Sequence, residues 1–480
     1  MVACGHPLAA SVGIAAFRDG GGAVDAALSA AAALTVLMPE ACGLGGDAFM
    51  LVRGPNGDVT AINGSGAAGT GVEVPLPPEG PATVAVPGFV AAVEDAHARF
   101  GRLPHERLFE PAVSLAGGGF PIGGGLLRAV AEYRDKLERF APGSAFLDSG
   151  LRPGSLVRQP ALAGLLQRIG RRGRQAFYTG PTGRALERAT GTRILVEDLA
   201  AHTSVVRAPV SGSYRGLEVT VQPPVSQALL ALMALRALER GGASEQPDRA
   251  HLAVEAIEAA FEHRHEIAAE GAEERLLDLE LGVDPGRAAR RGGPTGGLHT
   301  TAVASADSDG TVVSTLISVY ALFGSGVLVP EGGFLLNNLL SGTSRDPDSP
   351  NFPSPGRLPV HTLSPSLVSN AEGAFALATP GADGQVQTLV QVIDAIAADG
   401  VRVPVALDRP RWRSSDTRLL IEDDYEPEVA AELERRGHEL VRLPAGAPAF
   451  GAAVVAGLDA ATGTPFAASD ARGGAWAAAC

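Results

Sequence analysis

Three cysteines in 480 residues, Cys4, Cys42 and Cys480, are too few and too uneven for a disulfide framework and fit a reducing compartment. No C-x-x-C pair occurs, and Cys4 and Cys42 read as small core residues. H-E-x-x-H and G-x-S-x-G are also missing, which removes the metalloprotease helix and the nucleophile elbow. Basic residues are outnumbered, 39 Lys and Arg against 53 Asp and Glu, with no long basic stripe. The net charge of −14 makes nucleic acid and anionic membranes poor partners. The N-terminus, "MVACGHPLAASVGIAAFRDGG", lacks the basic start and continuous apolar core of a signal peptide. The longest apolar-leaning run, Ala26 to Met38, is interrupted by Ser29 and Thr35 and stopped by Pro39, too short to span a bilayer. The expected location is cytoplasmic.

What is present is a globular, loop-rich composition, 45% apolar and 19% charged with 61 glycines. The chain is long enough for two to four lobes around a large core. Residues 22–38, Ala- and Leu-rich and ended by Pro39, predict a buried helix. "AFMLVRG" and "GDVTAING" predict strand, turn and strand, and helical segments dominate from about residue 85 to 275. Residues 276–299 are basic, Gly-rich and aperiodic, and read as an exposed linker. Beyond Thr300 strands prevail. In "TTAVASADSDGTVVSTLISVY" two alternating runs flank Asp309-Gly310, a hairpin signal. A helix-rich segment, residues 1–299, and a strand-rich segment, residues 300–480, make an α+β layered protein in one folded unit.

Two local motifs are weak. Gly43 to Ala48, "GLGGDA", matches G-x-G-x-x-A, yet Pro39-Glu40 precedes it and strand-like "FMLV" follows, so it reads as a tight turn. His263 and His265 in "EHRHE" stand two apart, which on a helix points them to different faces, so one ion cannot take both without distortion.

The adjacent threonines of "GGLHTTAV" are different. A threonine hydroxyl needs a base, and its own α-amine, freed by backbone cleavage, is one solution. That requires the nucleophile at a strand start behind a cleavable loop, the layout of "GGPTGGLH" followed by "TTAVASA". With Asp309-Gly310 as a two-residue turn, 308 pairs with 311 and 300 with 319, so Ser318 lies diagonally beside Thr300. Thr301 then points to the other face. An ordinary hairpin with threonines chosen for β propensity satisfies the same pattern.

"HTTAVASADSDGTVVSTLISVYALFGSGVLVPEGGFLLNN" resembles the start of the small subunit of the γ-glutamyltranspeptidase family, self-cleaving N-terminal nucleophile hydrolases. Further blocks match in order: "HPLAASVGIAAFRDGGGAVDAALSAAAALTVLMPEACGLGGDAFMLV", "VPGFVAAVEDAHARFGRLP", "PVHTLSPSLV", "ATPGADGQVQ" and "ALDRPRW". The resemblance implies a four-layer αββα sandwich and cleavage between His299 and Thr300, giving fragments of 299 and 181 residues that stay associated. It implies Thr300 as nucleophile and α-amine base, seven residues before Asp307, and Ser318 as the hydroxyl that orients it. Gly381 and Ala382 then supply the oxyanion-hole N–H groups; Ala382 keeps the N–H and adds a methyl, so its backbone angles must suit Ala. Neither metal nor cofactor is implied, and a homodimer is compatible.

The departures matter equally. Ser65 stands where the family's glutamate-binding Arg is expected, Gly342 where an acidic residue follows "LLNN", Tyr320 for an Asn, and His361-Thr362 for a serine pair. A zwitterionic glutamate would lose its charge partners, which argues against γ-glutamyl transfer. The replacements resemble the branch containing oxamate amidohydrolase and the C–C-cleaving hydrolases of alkylproline antibiotic biosynthesis, both of which attack a carbonyl beside a carboxylate. Tyr320, His361 and Thr362 are the expected anchors for a small carboxylate substrate. Amide hydrolysis and hydrolytic C–C cleavage both remain open. So do an unprocessed, inactive zymogen relative acting as a binding or scaffold protein, and a γ-glutamyl enzyme with an altered pocket.

Overall fold

The computed structural model describes residues 1–242, 245–294 and 300–480. Thirteen strands among them build two antiparallel sheets: β1 (Val2–Cys4), β2 (Asp47–Arg53), β3 (Val59–Asn63), β4 (Val205–Arg207), β5 (Val210–Tyr214), β6 (Leu217–Val221), β7 (Thr301–Ala306), β8 (Val312–Ser318), β9 (Ser366–Asn370), β10 (Gly373–Ala378), β11 (Val454–Asp459), β12 (Pro465–Ser469) and β13 (Trp476–Ala478). The first sheet runs β13-β1-β7-β8-β2-β3-β4 and the second β12-β11-β10-β9-β6-β5. Six of these strands come from residues before 300. The segment expected to be helix-rich therefore shares both sheets with the segment that follows, and the two are interleaved.

Alternation along the strands sorts the layers. Between the sheets lie Ala3, Ala302, Ala304, Ala306, Ala376, Ala378 and Ala456 with Phe49, Leu51, Leu316 and Leu367, and the many small side chains keep the sheets close. On the outer face of the first sheet, Val303, Val313, Ile317 and Met50 pack under the helices Pro7–Arg18, Ala23–Leu37 and His105–Gly118. On the outer face of the second, Val219, Val368 and Leu377 pack under Leu229–Gly241, Asp248–Phe261 and Gly384–Asp399. Each large side chain taken from water in this way contributes about 1.5–3 kcal/mol. The result is the expected αββα sandwich.

The helix Ala23–Leu37 is buried along its whole length, as its composition requires, and Asp25 caps it by accepting from Gly22 N at 2.9 Å. The expected linker is largely exposed over its described residues, but it is pinned in place. Ala288 N donates to Arg436 O, Ala289 N to Glu255, and Gly293 pairs with Asp416, so the chain is strapped along the strands Trp412–Ser415 and Arg418–Glu422. Backbone hydrogen-bonding groups, which carry no sequence signature in a Gly-rich stretch, hold it there.

Candidate functional site

Strand β7 carries Thr300 at its entrance. Residues 300, 302 and 304 alternate toward the inter-sheet layer, while Val303 and Ser305 face the helices, where Ser305 Oγ donates to Ala23 O at 2.7 Å. Thr301 belongs to the second set, its hydroxyl lying against Gly5, so the two threonines occupy opposite faces. Thr300 is 4% exposed.

The hairpin register differs by one residue from the expectation. Ala306 pairs with Val312 and Thr301 with Ile317, which puts Ser318 directly opposite Thr300 instead of diagonal to it. The cause is Asp307. Its N–H donates to Thr311 O, and its Oδ1 accepts from Asp309 N and Thr311 N, closing a three-residue loop, Ser308 to Gly310, with Gly310 at φ 98°. Asp307 Oδ2 also accepts from Ala23 N at 2.8 Å, tying the turn to the buried helix. Thr300 Oγ1 donates to Ser318 Oγ at 3.2 Å, and the same oxygen accepts from Tyr320 N at 2.9 Å.

Ser318 in turn pairs with Asp47, the first residue of β2. A side chain at Gly46 would collide with the Ser318 carbonyl, so the glycine turn "GLGG" brings these strands into pairing. Asp47 and His361 are both fully buried. Asp47 Oδ1 accepts from Gly88 N, and Oδ2 lies 3.2 Å from His361 Nε2. His361 Nδ1 accepts from Leu363 N at 3.1 Å, which assigns the ring proton to Nε2 and makes His361 the donor to Asp47. Burial pushes the Asp47 carboxyl above its ordinary value, against the hydrogen bonds from His361, Gly88 and Gly66. Both His361 nitrogens are thus engaged, and the ring packs on Phe49 at 5.0 Å instead of offering a free donor to an anion.

The segment after β10 supplies Gly381, at φ 132°, and Ala382, at φ 48°. Among the described residues neither backbone N–H has an acceptor. Gln227, fully buried, braces this turn: its Nε2 donates to Ala382 O at 3.1 Å and to Thr362 O at 3.2 Å. Thr362 is 2% exposed beside it.

Tyr320 sits at φ 80°, and its hydroxyl occupies the space a Cβ at Gly342 would take. Two departures from the family pattern are therefore one steric event: a large phenol needs a glycine opposite. Arg264 adjoins both. Its Nη1 donates to Gly342 O at 3.2 Å, the Tyr320 hydroxyl lies close enough to favour its charge, and its Nε lies 3.4 Å from Asp383 Oδ1. Burial raises the Tyr320 phenol, with Arg264 opposing. Ser65, at the expected Arg position, donates to Asn63 Oδ1 at 2.8 Å and carries no charge.

Arg264, Asp47, Gln227 and Asp383 are not identifiable from sequence. Arg264 is flanked by the two histidines of "EHRHE"; His263 contacts Glu266 and His265 contacts Asn351, each at 2.8 Å, so they face apart. Nothing local distinguishes a buried arginine from a solvated one. His299 lies outside the described residues. One described group, His251, Glu255 and His438, brings potential metal-ligand atoms within 4.8 Å of one another. His251 hydrogen-bonds His438 and Asp284 O, while Glu255 accepts from Ala289 N and Arg291, so the group clamps the linker. No helix among the described residues is long and apolar enough to cross a membrane.

The gamma-glutamyltranspeptidase family model matches residues 9–480. The oxamate amidohydrolase proenzyme of Klebsiella pneumoniae is 33% identical, with 92% of this chain and 91% of that protein covered. Cephalosporin acylase from Bacillus halodurans superimposes with a TM-score of 0.86 at 28% identity, over 99% of this chain and 94% of that one. The structure of LmbA2991HD gives 0.85 at 26% identity, over 99% and 98%. The sandwich, the order of the sequence blocks and these matches agree: the chain belongs to the gamma-glutamyltranspeptidase family and is a hydrolase of the N-terminal nucleophile type.

Proposed function

We propose that this protein cleaves itself before Thr300 and then hydrolyses an amide bond in a small substrate whose scissile carbonyl lies beside a carboxylate. The observation that carries this reading is the 3.2 Å hydrogen bond from Thr300 Oγ1 to Ser318 Oγ at the strand entrance. It orients the hydroxyl, and the turn at Gly381 and Ala382 offers two N–H groups without acceptors among the described residues.

In self-cleavage, Thr300 Oγ attacks the preceding carbonyl carbon, the C–N bond breaks, and its nitrogen takes the proton. That frees the α-amine; water then hydrolyses the ester, restoring the Thr300 hydroxyl and leaving fragments of 299 and 181 residues within one sandwich. In turnover that amine accepts the Oγ proton as Oγ attacks the substrate carbonyl. The N–H groups of Gly381 and Ala382 stabilise the oxyanion, the amine returns the proton to the departing nitrogen, and water releases the acyl group.

Tyr320 and Thr362 lie at the substrate end. His361 acts through Asp47 as a positioning residue. The absence of an arginine at Ser65 and of an acid at Gly342 argues against γ-glutamyl transfer. Oxamate amidohydrolase and cephalosporin acylase, named for amide hydrolysis, support an amide over a C–C bond. Mass spectrometry of a small fragment beginning at Thr300, together with ammonia release from oxamate, tests the proposal. An intact, uncleaved chain overturns the nucleophile assignment, and a keto acid or oxalate released without ammonia or amine overturns the amide.

A further inference from the structure

Close to the oxyanion turn, two arginine side chains are largely removed from water. The Arg264 side chain is 12% exposed and Arg413 is buried, and Asp383 is the carboxylate acting on both guanidinium groups. Burial works against the Arg264 charge, but Asp383 and Tyr320 beside it hold the group above its ordinary range. For Arg413 the balance goes the other way, burial outweighing the same carboxylate and lowering it. Burying a guanidinium such as that of Arg264 is costly unless all its donors are satisfied.

The hydrogen bonding is incomplete in the same place. Arg264 uses Nη1 on Gly342 O and approaches Gln227 Oε1 at 3.4 Å with Nε, while its buried Nη2 has no partner among the described residues. Asp383, at the N-terminus of the helix Gly384–Asp399, makes no capping bond there. It immediately follows Ala382, so a carbonyl held by the turn would have its neighbouring group near Arg264. From the nucleophile side the path is equally short: Ser318 Oγ contacts both Thr300 and Tyr320, and the Tyr320 hydroxyl contacts Arg264.

We infer that Arg264, through Nη2 and assisted by the Tyr320 hydroxyl, binds the carboxylate beside the scissile carbonyl. This rests on the Thr300 reading and adds the cation it lacks. A guanidinium offers the planar donor pair that a carboxylate accepts, and Gly342 makes the space in which phenol and guanidinium meet.

The test uses full-length wild type, Arg264→Gln, Arg264→Lys and Tyr320→Phe, each checked for self-cleavage by gel and for folding by melting temperature. The probe is oxalate, which has no amide to hydrolyse, titrated calorimetrically. Arg264→Gln is expected to self-cleave yet bind oxalate at least ~10-fold more weakly, with Arg264→Lys recovering some of the loss. Tyr320→Phe, which keeps the guanidinium, is expected to lose a few-fold and decides the matter if Arg264→Gln does not fold. Wild-type affinity in a folded Arg264→Gln, or in Tyr320→Phe where that variant decides, overturns the inference, as does a cleaved wild type that does not bind oxalate. A wild type that stays uncleaved overturns the Thr300 reading instead.

Discussion

Thr300 and Ser318 face one another across the pairing of β7 and β8 with their hydroxyl oxygens 3.2 Å apart. The relationship depends on the Asp307 turn, because a two-residue loop would shift the register by one and place Val319 opposite Thr300. Val319 offers no hydroxyl. Register slips of one residue reverse which face a side chain occupies, so the capped turn and the nucleophile's partner are linked.

From this pairing, Thr300→Ala is expected to run as one band near 48.9 kDa on denaturing electrophoresis, where the wild type gives two. Ser318→Ala keeps the nucleophile but removes the acceptor for its hydroxyl. Its self-cleavage is expected to slow by about 10²-fold, the range for losing one orienting group in acid–base catalysis. Cleavage at the wild-type rate in Ser318→Ala would show that Ser318 does not orient Thr300.

The coupling of Tyr320 and Gly342 gives a stability prediction. A methyl at Gly342 meets the Tyr320 hydroxyl, so Gly342→Ala is expected to destabilise by about 1–3 kcal/mol through overpacking. Tyr320→Asn removes the obstacle, and in that background Gly342→Ala is expected to cost less than about 0.5 kcal/mol. A double-mutant cycle by denaturant titration measures the difference; additive costs would mean that the two positions are independent.

Much of the site is legible in the sequence because it is local. The alternation after Thr300, the glycine turn before Asp47 and the Ala-rich helix each state their geometry within a few residues. The register is not, since a two-residue turn and the three-residue loop closed by Asp307 Oδ1 fit the same residues, and the contact that anchors Asp307, from Ala23 N, lies 284 residues away in the chain. Arg264 and Gln227 are hidden for the same reason: their meaning comes from burial against segments far off in sequence. Strands β4 to β6 are also obscured, being short and set within a helical region. His361 is recognisable as belonging to the site, but only its hydrogen bonds assign its nitrogens to Asp47 and Leu363.

Ala382 occupies a left-handed backbone conformation, φ 48°, where an alanine costs about 1–2 kcal/mol relative to glycine. Glycine relieves this but loses more entropy on folding, about 0.5–1 kcal/mol. Ala382→Gly is therefore expected to change stability by less than about 1 kcal/mol and, because the N–H is retained, to leave kcat within a few-fold. Ala382→Val, β-branched at a positive φ, is expected to lower both stability and turnover. Equal kcat in all three proteins would separate this turn from the oxyanion.

His202 supplies a pH test. Its ring packs against Tyr178 with centroids 5.4 Å apart, next to Gly88, whose N–H binds Asp47. Burial, aided by Arg174, lowers the imidazole to about 4 from an ordinary value of 6.5. The folded state thus keeps His202 neutral while the unfolded chain takes up a proton first as pH falls. Stability is unaffected by this group above about pH 6.5, declines between about 6.5 and 4, and loses nothing further below that. His202→Phe, which cannot titrate, is expected to flatten that stretch of the melting-temperature profile by the equivalent of about 1–3 kcal/mol. An unchanged slope in His202→Phe would mean that the proton uptake on unfolding occurs at other groups.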